Sequence, residues 1–184
     1  MPRRPSRSLA HLFAAVTVAL TACAPARQET PAAGEDVASV KRAIEAQIAR
    51  SVQATRDKDI DALLSVQTED FVLENDTAGD EHGERVNQEQ LRANLLRDWG
   101  IIVENRAIDI VVDSLAVHGD SAVVFTSQRY ERMMLERDGV TRDHVVTTVT
   151  HRELWRRTPA GWRVARIREL WHGPIMVNGK VYTP

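Results

Sequence analysis

Residues Ala122 to Trp171 read AVVFTSQRYERMMLERDGVTRDHVVTTVTHRELWRRTPAGWRVARIRELW. Runs rich in Val, Phe, Thr, Tyr and Trp alternate there with two turn signals, Arg137-Asp138-Gly139 and Pro159-Ala160-Gly161. β-Branched and aromatic residues fit a pleated, half-buried surface, and turns containing Gly and Pro mark where one strand gives way to the next. The pattern predicts long strands over 122–135, 140–156 and 162–171, with Val145 to Thr150 at the centre of the second. Just upstream, Ile108 to Val112 and Leu115 to Val117 form another β-rich run that ends in the turn His118-Gly119-Asp120.

Further toward the N-terminus the apolar period changes. Val37, Val40, Ile44, Ile48 and Val52 recur at three-four spacing, with Lys41, Arg42, Glu45 and Arg50 between them. This is the stripe of an amphipathic helix, expected over 37–55 with Asp36 as its N-cap. A shorter helix over 58–66 takes Asp57 or Asp59 as cap and Ile60, Leu63 and Leu64 as its apolar face. Phe71-Val72-Leu73 reads as a brief strand, and Asp76 to Glu84 as an acidic, glycine-containing loop. Asn87 and Gln90 have the spacing of a capping box and open a third helix over 88–98, with Leu91, Leu95 and Trp99 on one side and Gly100 at its stop. Helices followed by a meander of long strands give an α+β class: three N-terminal helices covering a curved antiparallel sheet. The tail from Ile175 to Tyr182 adds an Asn178-Gly179 hairpin signal.

The first 35 residues belong to a different regime. Arg3, Arg4 and Arg7 precede an apolar run from Leu9 to Leu20, and small residues follow it. A charged head, a short apolar segment and a small-residue site make a secretory signal over 1–22. The apolar run is shorter than the roughly 20 residues a membrane-crossing helix needs. Leu20-Thr21-Ala22-Cys23 resembles the bacterial lipobox, and Cys23 is the sole cysteine of the chain. The resemblance implies cleavage before Cys23 and a diacylglycerol on its sulfur, with palmitate-like chains holding the protein at a membrane. Ala24 follows the cysteine, which by resemblance to enterobacterial sorting implies the outer membrane, facing the periplasm. Ala24 to Gly34, rich in Ala, Pro and polar residues, reads as part of a tether over 23–35, and 36–184 as one domain. With Cys23 committed, no disulfide can form within the chain, so the domain must be stable through its core alone.

Charge narrows the partners. The formal net charge of −2 becomes −5 once residues 1–22, with their three arginines and no acid, are removed. A mildly acidic domain lacks the basic surface that nucleic acid requires and the polybasic segment that adds membrane attraction.

The order of these elements resembles the nuclear transport factor 2-like superfamily in its SnoaL-like branch. The likeness covers roughly 37–172. It rests on the first amphipathic helix, the second helix running into Glu69-Asp70-Phe71-Val72, the turn Val117-His118-Gly119-Asp120-Ser121-Ala122-Val123, and the ending Leu154-Trp155-Arg156-Arg157-Thr158-Pro159-Ala160-Gly161-Trp162-Arg163-Val164. The resemblance implies a sheet bent into a cone, helices covering it, and a pocket on the concave side. It implies no single chemistry, because the superfamily spans isomerases, dehydratases, cyclases and non-enzymatic binding domains.

Site candidates follow from strand alternation. In 162–171, Trp162, Val164, Arg166, Arg168 and Leu170 share one face. A face that begins apolar and turns charged suits a strand leaving a packed core for a polar cavity, and the hairpin at Pro159 to Gly161 brings Arg152 alongside. The expectation is a cationic pocket of Arg152, Arg166 and Arg168 for a carboxylate or other anion. The competing reading is a solvated row of charges paired with Glu131, Glu153 or Glu169. Related sequences carry polar or histidine side chains where Arg166 and Arg168 stand, so a histidine-based proton transfer is not implied at those positions. Asp70 lies where the resembled fold approaches its pocket. It is either a general base, with Tyr130 as a polar partner, or a structural carboxylate paired with an arginine. Trp99 and Tyr130 are core residues or an aromatic platform for a ligand. Asp76, Asp80, Glu81 and Glu84 lack calcium-loop spacing, and His82, His144, His151 and His172 show no metal-binding spacing. No cofactor motif, serine nucleophile elbow or phosphate loop occurs. The leading expectation is therefore a membrane-tethered, non-catalytic domain that binds a small, anionic ligand or a protein partner. The alternatives are a cofactor-independent isomerase or dehydratase-like enzyme, and a homodimer whose sheets pack together.

Overall fold

The computed structural model describes residues 36–75 and 84–182. The signal, the tether, Cys23 and the acidic loop around Asp80 lie outside these residues. Helix α1 (Val37–Asp57) begins at Asp36, whose carboxylate accepts from the Ala38 amide at 2.7 Å. It buries Val40, Ile44 and Ile48, the stripe that its sequence period dictates. Lys58 ends it in a left-handed conformation, φ 55°, and its ammonium donates to the Trp99 and Ile102 carbonyls at the end of the third helix. Helix α2 (Ile60–Leu64) is capped by Asp59. Helix α3 (Gln88–Ile101) opens on the Asn87–Gln90 capping box, with both reciprocal bonds formed.

The sheet runs β2-β1-β6-β5-β4-β3. Its strands are β1 (Gln67–Asn75), β2 (Glu84–Asn87), β3 (Ile102–His118), β4 (Ser121–Leu135), β5 (Arg142–Thr158) and β6 (Gly161–His172). The meander β3-β4-β5-β6 is antiparallel, as its short turns require. The pairing of β1 with β6 is parallel, so the sheet is mixed. β2, part of which the sequence reading gave to the acidic loop, pairs with β1. β7 (Met176–Val177) and β8 (Lys180–Val181) form a small hairpin against β5. Asn178 and Gly179 sit at its tip with φ of 51° and 77°, the two positive values that a tight right-twisting hairpin demands.

Register shifts interrupt β3 at three places and β6 at two. Bulges bend a strand and increase its twist, and here they curve the sheet around α1. The inner face packs Phe71, Ala122, Val124, Trp155, Trp162 and Val164 against Val40, Ile44 and Ile48. This core occupies the part of the sheet near the β5–β6 turn. Further along the same strands the inner face is not filled by side chains.

Candidate functional site

A cavity of about 220 Å³ lies between the inner face of the sheet and the helices. Its walls are mostly apolar: Ile48 and Val52 from α1, Leu91, Leu95 and Trp99 from α3, and Ile108 and Ile110 from β3. The polar part comes from two central strands. Along β4 the inner positions run Ala122, Val124, Thr126, Gln128, Tyr130 and Arg132, from small and apolar to large and polar. On β5 the inner positions are His151, Glu153 and Trp155, directly across from Thr126, Val124 and Ala122. A strand pair that is core at one end thus becomes cavity wall at the other.

The polar side chains form one connected cluster. Glu153, 4% exposed, accepts at Oε1 from the Thr126 hydroxyl (2.9 Å) and the Gln128 amide (3.3 Å). Its Oε2 accepts from the Trp155 indole N–H at 2.8 Å. Burial pushes the Glu153 carboxyl pKa upward, and the bonds from Thr126 and Trp155 oppose part of that shift. The Gln128 amide nitrogen also lies 2.9 Å from His151 Nδ1, and the Gln128 oxygen accepts from the Tyr130 hydroxyl at 2.6 Å. With Gln128 donating, His151 carries its proton on Nε2. Burial, with the charge of His172 adding to it, lowers the His151 pKa to about 4, so the ring is neutral at physiological pH. Burial likewise raises Tyr130 to about 12 and keeps its phenol protonated.

Arg132 is the charged member of the wall. Its guanidinium carbon stands 4.5 Å from the Tyr130 ring centroid, within cation–π range. Its Nε is buried and has no hydrogen-bond partner. Desolvation lowers its pKa, with Tyr130 and Asp98 acting in the opposite sense.

The structure separates the candidates that the sequence offered. Trp99 and Tyr130 line the cavity. Asp70 does not: it is exposed and accepts from Arg156 at 2.7 Å, a contact that holds its carboxyl below the usual range. The general-base pairing of Asp70 with Tyr130 is therefore absent from the geometry. Arg152, Arg166 and Arg168 are all exposed, on the outer face, contrary to the cationic pocket expected of them. Arg166 lies 3.9 Å from Glu74, which also binds Arg85 at 2.9 Å, and Arg152 stands opposite Arg168.

A bulge accounts for this reversal. Trp155 pairs with Val164 but Leu154 pairs with Arg166, leaving Ala165 as an extra residue. Val164 and Ala165 are both buried, and alternation restarts on the opposite parity. Ile167 then faces the cavity while Arg166 and Arg168 face solvent. For Arg152 the deciding signal was Trp155: a buried tryptophan fixes 151, 153 and 155 as the inner set and 152 as outer. The same reasoning reaches His151 and Glu153. Gln128 and Arg132 lie on an apolar-to-polar gradient along β4 of the kind expected for β6, and that gradient is their signal in the sequence.

No protein-family model and no curated protein matches this sequence. Solved structures do match in shape. A nuclear transport factor 2-like superfamily protein from Salmonella enterica serovar Typhimurium aligns over 81% of this chain and 96% of its own, with a TM-score of 0.56 and 17% identity. A nuclear transport factor 2-like protein from Cytophaga hutchinsonii aligns over 70% and 95%, at TM-score 0.55 and 17% identity. A hexachlorocyclohexane dehydrochlorinase (LinA type 2) aligns over 78% and 93%, at TM-score 0.59 and 11% identity. The chain has the nuclear transport factor 2-like fold.

Proposed function

Taking that fold as the premise, we propose that the domain is a non-catalytic receptor for a small, largely apolar molecule held in the cavity between α1, α3 and the sheet. One observation carries the reading: apolar side chains from helices and sheet enclose a space whose polar groups are mostly spent on one another. The Tyr130 hydroxyl, the Gln128 amide and both Glu153 oxygens are engaged within the cluster. His151 Nδ1 is occupied by Gln128, and the ring's low basicity makes it a weak proton acceptor. A general base needs a lone pair aimed at substrate, and this cluster keeps its lone pairs turned inward. The volume is below the roughly 300–1,000 Å³ of sites for drug-sized ligands, so the ligand is small.

Trp99 and Trp155 line the cavity and report its occupancy. Titration with small aromatic molecules should quench tryptophan fluorescence saturably, and Ile110→Trp, which fills the space, should abolish that response while the fold persists. Equal binding by wild type and Ile110→Trp would overturn the reading. An acid–base enzyme is the second reading, and neutral His151 at the cavity wall is the observation in its favour. It predicts a substrate whose turnover disappears in His151→Gln.

We further propose that the chain is exported and held at the outer membrane by lipid on Cys23, on the strength of the signal and the lipobox-like Leu20 to Cys23. Two or more acyl chains anchor firmly where one is marginal. Cys23→Ser should abolish labelling by a fatty-acid analogue, and undiminished labelling would end that proposal. Recovery of wild type solely with inner membranes would contradict the assigned membrane.

A further inference from the structure

We infer that the molecule the cavity receives is a small monocarboxylate whose carboxylate lies against Arg132, with its apolar body toward Leu91, Leu95 and Trp99. The inference rests on the binding reading and specifies the ligand's chemistry.

Arg132 departs from the polar groups beside it on the cavity wall. Glu153 is deeply buried and receives three donors. Gln128 uses both ends of its amide. Arg132 Nε is buried in the cavity region with no acceptor, and Asp98 acts on the guanidinium through its charge without accepting from that N–H. Burying an N–H of a cation without an acceptor is costly, and a wall that supplies no acceptor for it leaves room for an acid from outside. The stacked Tyr130 ring covers one face of the guanidinium. Stacking leaves the in-plane N–H groups as the groups on offer, and these match the two oxygens of a carboxylate.

The rest of the cavity fixes the ligand's other properties. One guanidinium balances one negative charge, and the surrounding walls are aliphatic and aromatic, so a dianion such as a phosphate monoester would bring an uncompensated charge into them. Glu153 does not compete for Arg132, since its oxygens are committed to Thr126, Gln128 and Trp155. The volume of about 220 Å³ corresponds to roughly seven waters at about 30 Å³ each, room for a ligand of about ten non-hydrogen atoms. A single ring with a short acid side chain meets all these conditions.

The test compares phenylacetate with phenylacetamide, which share shape and differ in charge, by calorimetry on the wild-type protein and on Arg132→Met. Wild type should bind the acid at least about tenfold more tightly than the amide, a difference of about 1.4 kcal/mol. Arg132→Met should reduce acid binding to the level of the amide and leave the amide nearly unchanged. Phenyl phosphate should bind wild type more weakly than phenylacetate. Equal affinity for acid and amide in wild type overturns the carboxylate assignment while the cavity still stands as a binding site. No binding of acid, amide or any neutral aromatic of that size overturns the binding reading as well. Because the acid–amide comparison is made in the wild-type protein, the result does not depend on how the variant folds.

Discussion

Both faces of strands β4, β5 and β6 carry polar residues and use them differently. On the outer face Arg152, Arg166 and Arg168 are exposed, and Arg156 and Arg166 lie beside Asp70 and Glu74 in contacts open to water. Exposed ion pairs contribute little, because solvent screens them and ordering two long side chains costs entropy. On the inner face Glu153, Gln128, His151 and Tyr130 are drawn away from water and bonded to one another. There each missing bond leaves a desolvated group without a partner, which costs about 1–3 kcal/mol. Counting charged residues along a strand is therefore uninformative about a site. What matters is which parity is buried.

The contrast can be broken or sharpened by substitution. The largest effect is expected at Trp155, which both packs in the core and donates to Glu153 Oε2. Trp155→Ala should cost about 3–5 kcal/mol in urea unfolding, the range for deleting a buried aromatic. A loss below about 1 kcal/mol would show that the inner face is not organised around it. Next comes the pH dependence set by His151. Its pKa is about 4 when folded against an ordinary 6.5. Between those values the unfolded chain binds a proton that the folded chain does not, so stability falls as pH drops from 6.5 toward 4. The full shift corresponds to about 3 kcal/mol. His151→Gln should flatten that part of the stability curve, and NMR of the wild type should show the ring titrating around 4. A ring titrating near 6.5 would mean that the cavity wall is wet.

Smaller and of opposite sign is the effect at Arg132. Arg132→Met removes a partly buried cation whose Nε–H has no acceptor, so the ligand-free domain should gain about 1 kcal/mol. A loss of similar size would show that stacking on Tyr130 and the charge of Asp98 outweigh the cost of the unpaired N–H. The smallest change belongs to the outer face. Arg166→Gln combined with Arg168→Gln should alter stability by less than about 0.5 kcal/mol and leave ligand binding untouched. Lost binding in that pair would move the site to the outer face.

Much of the fold was legible because its signals are local. Asp36, Asp59 and Asn87 cap the helices with which the spacing associates them, and the turns at Gly119 and Asn178-Gly179 fall where composition places them. The parallel β1–β6 pair was not legible, since pairing between segments about 90 residues apart leaves no local trace in Gln67 to Asn75, and β2, Glu84–Asn87, is too short to show a strand period. The site was half legible. Trp99 and Tyr130 could be named from residue type and position. Arg152 was placed wrongly although Trp155, three residues on, carried the corrective information. Arg166 and Arg168 were misplaced by a bulge, which is set by tertiary packing of Val164 and Ala165 and has no signature in a strict period of two.

That bulge gives β6 the logic of a reading frame. Up to Val164 the even-numbered residues face inward. Ala165 acts as an insertion, and for the next four residues the frame is shifted: Arg166 and Arg168 are read on the outside, Ile167 on the inside. A second unpaired residue, Leu170, restores the frame, so that Trp171 stands opposite Thr150 and His172 opposite Val149. Two single-residue insertions thus carry a short out-of-phase message, and within it no side chain need be altered to exchange what the cavity meets for what the solvent meets. Straightening the bulge with Ala165 kept in the ladder would rewrite the cavity wall more thoroughly than any point substitution, turning two arginines inward and Ile167 outward at once, whereas deleting Ala165 would leave all three facing as they do. A lineage carrying this sheet can therefore change the polarity of its pocket by slipping a strand one position, while every residue in the strand keeps its identity.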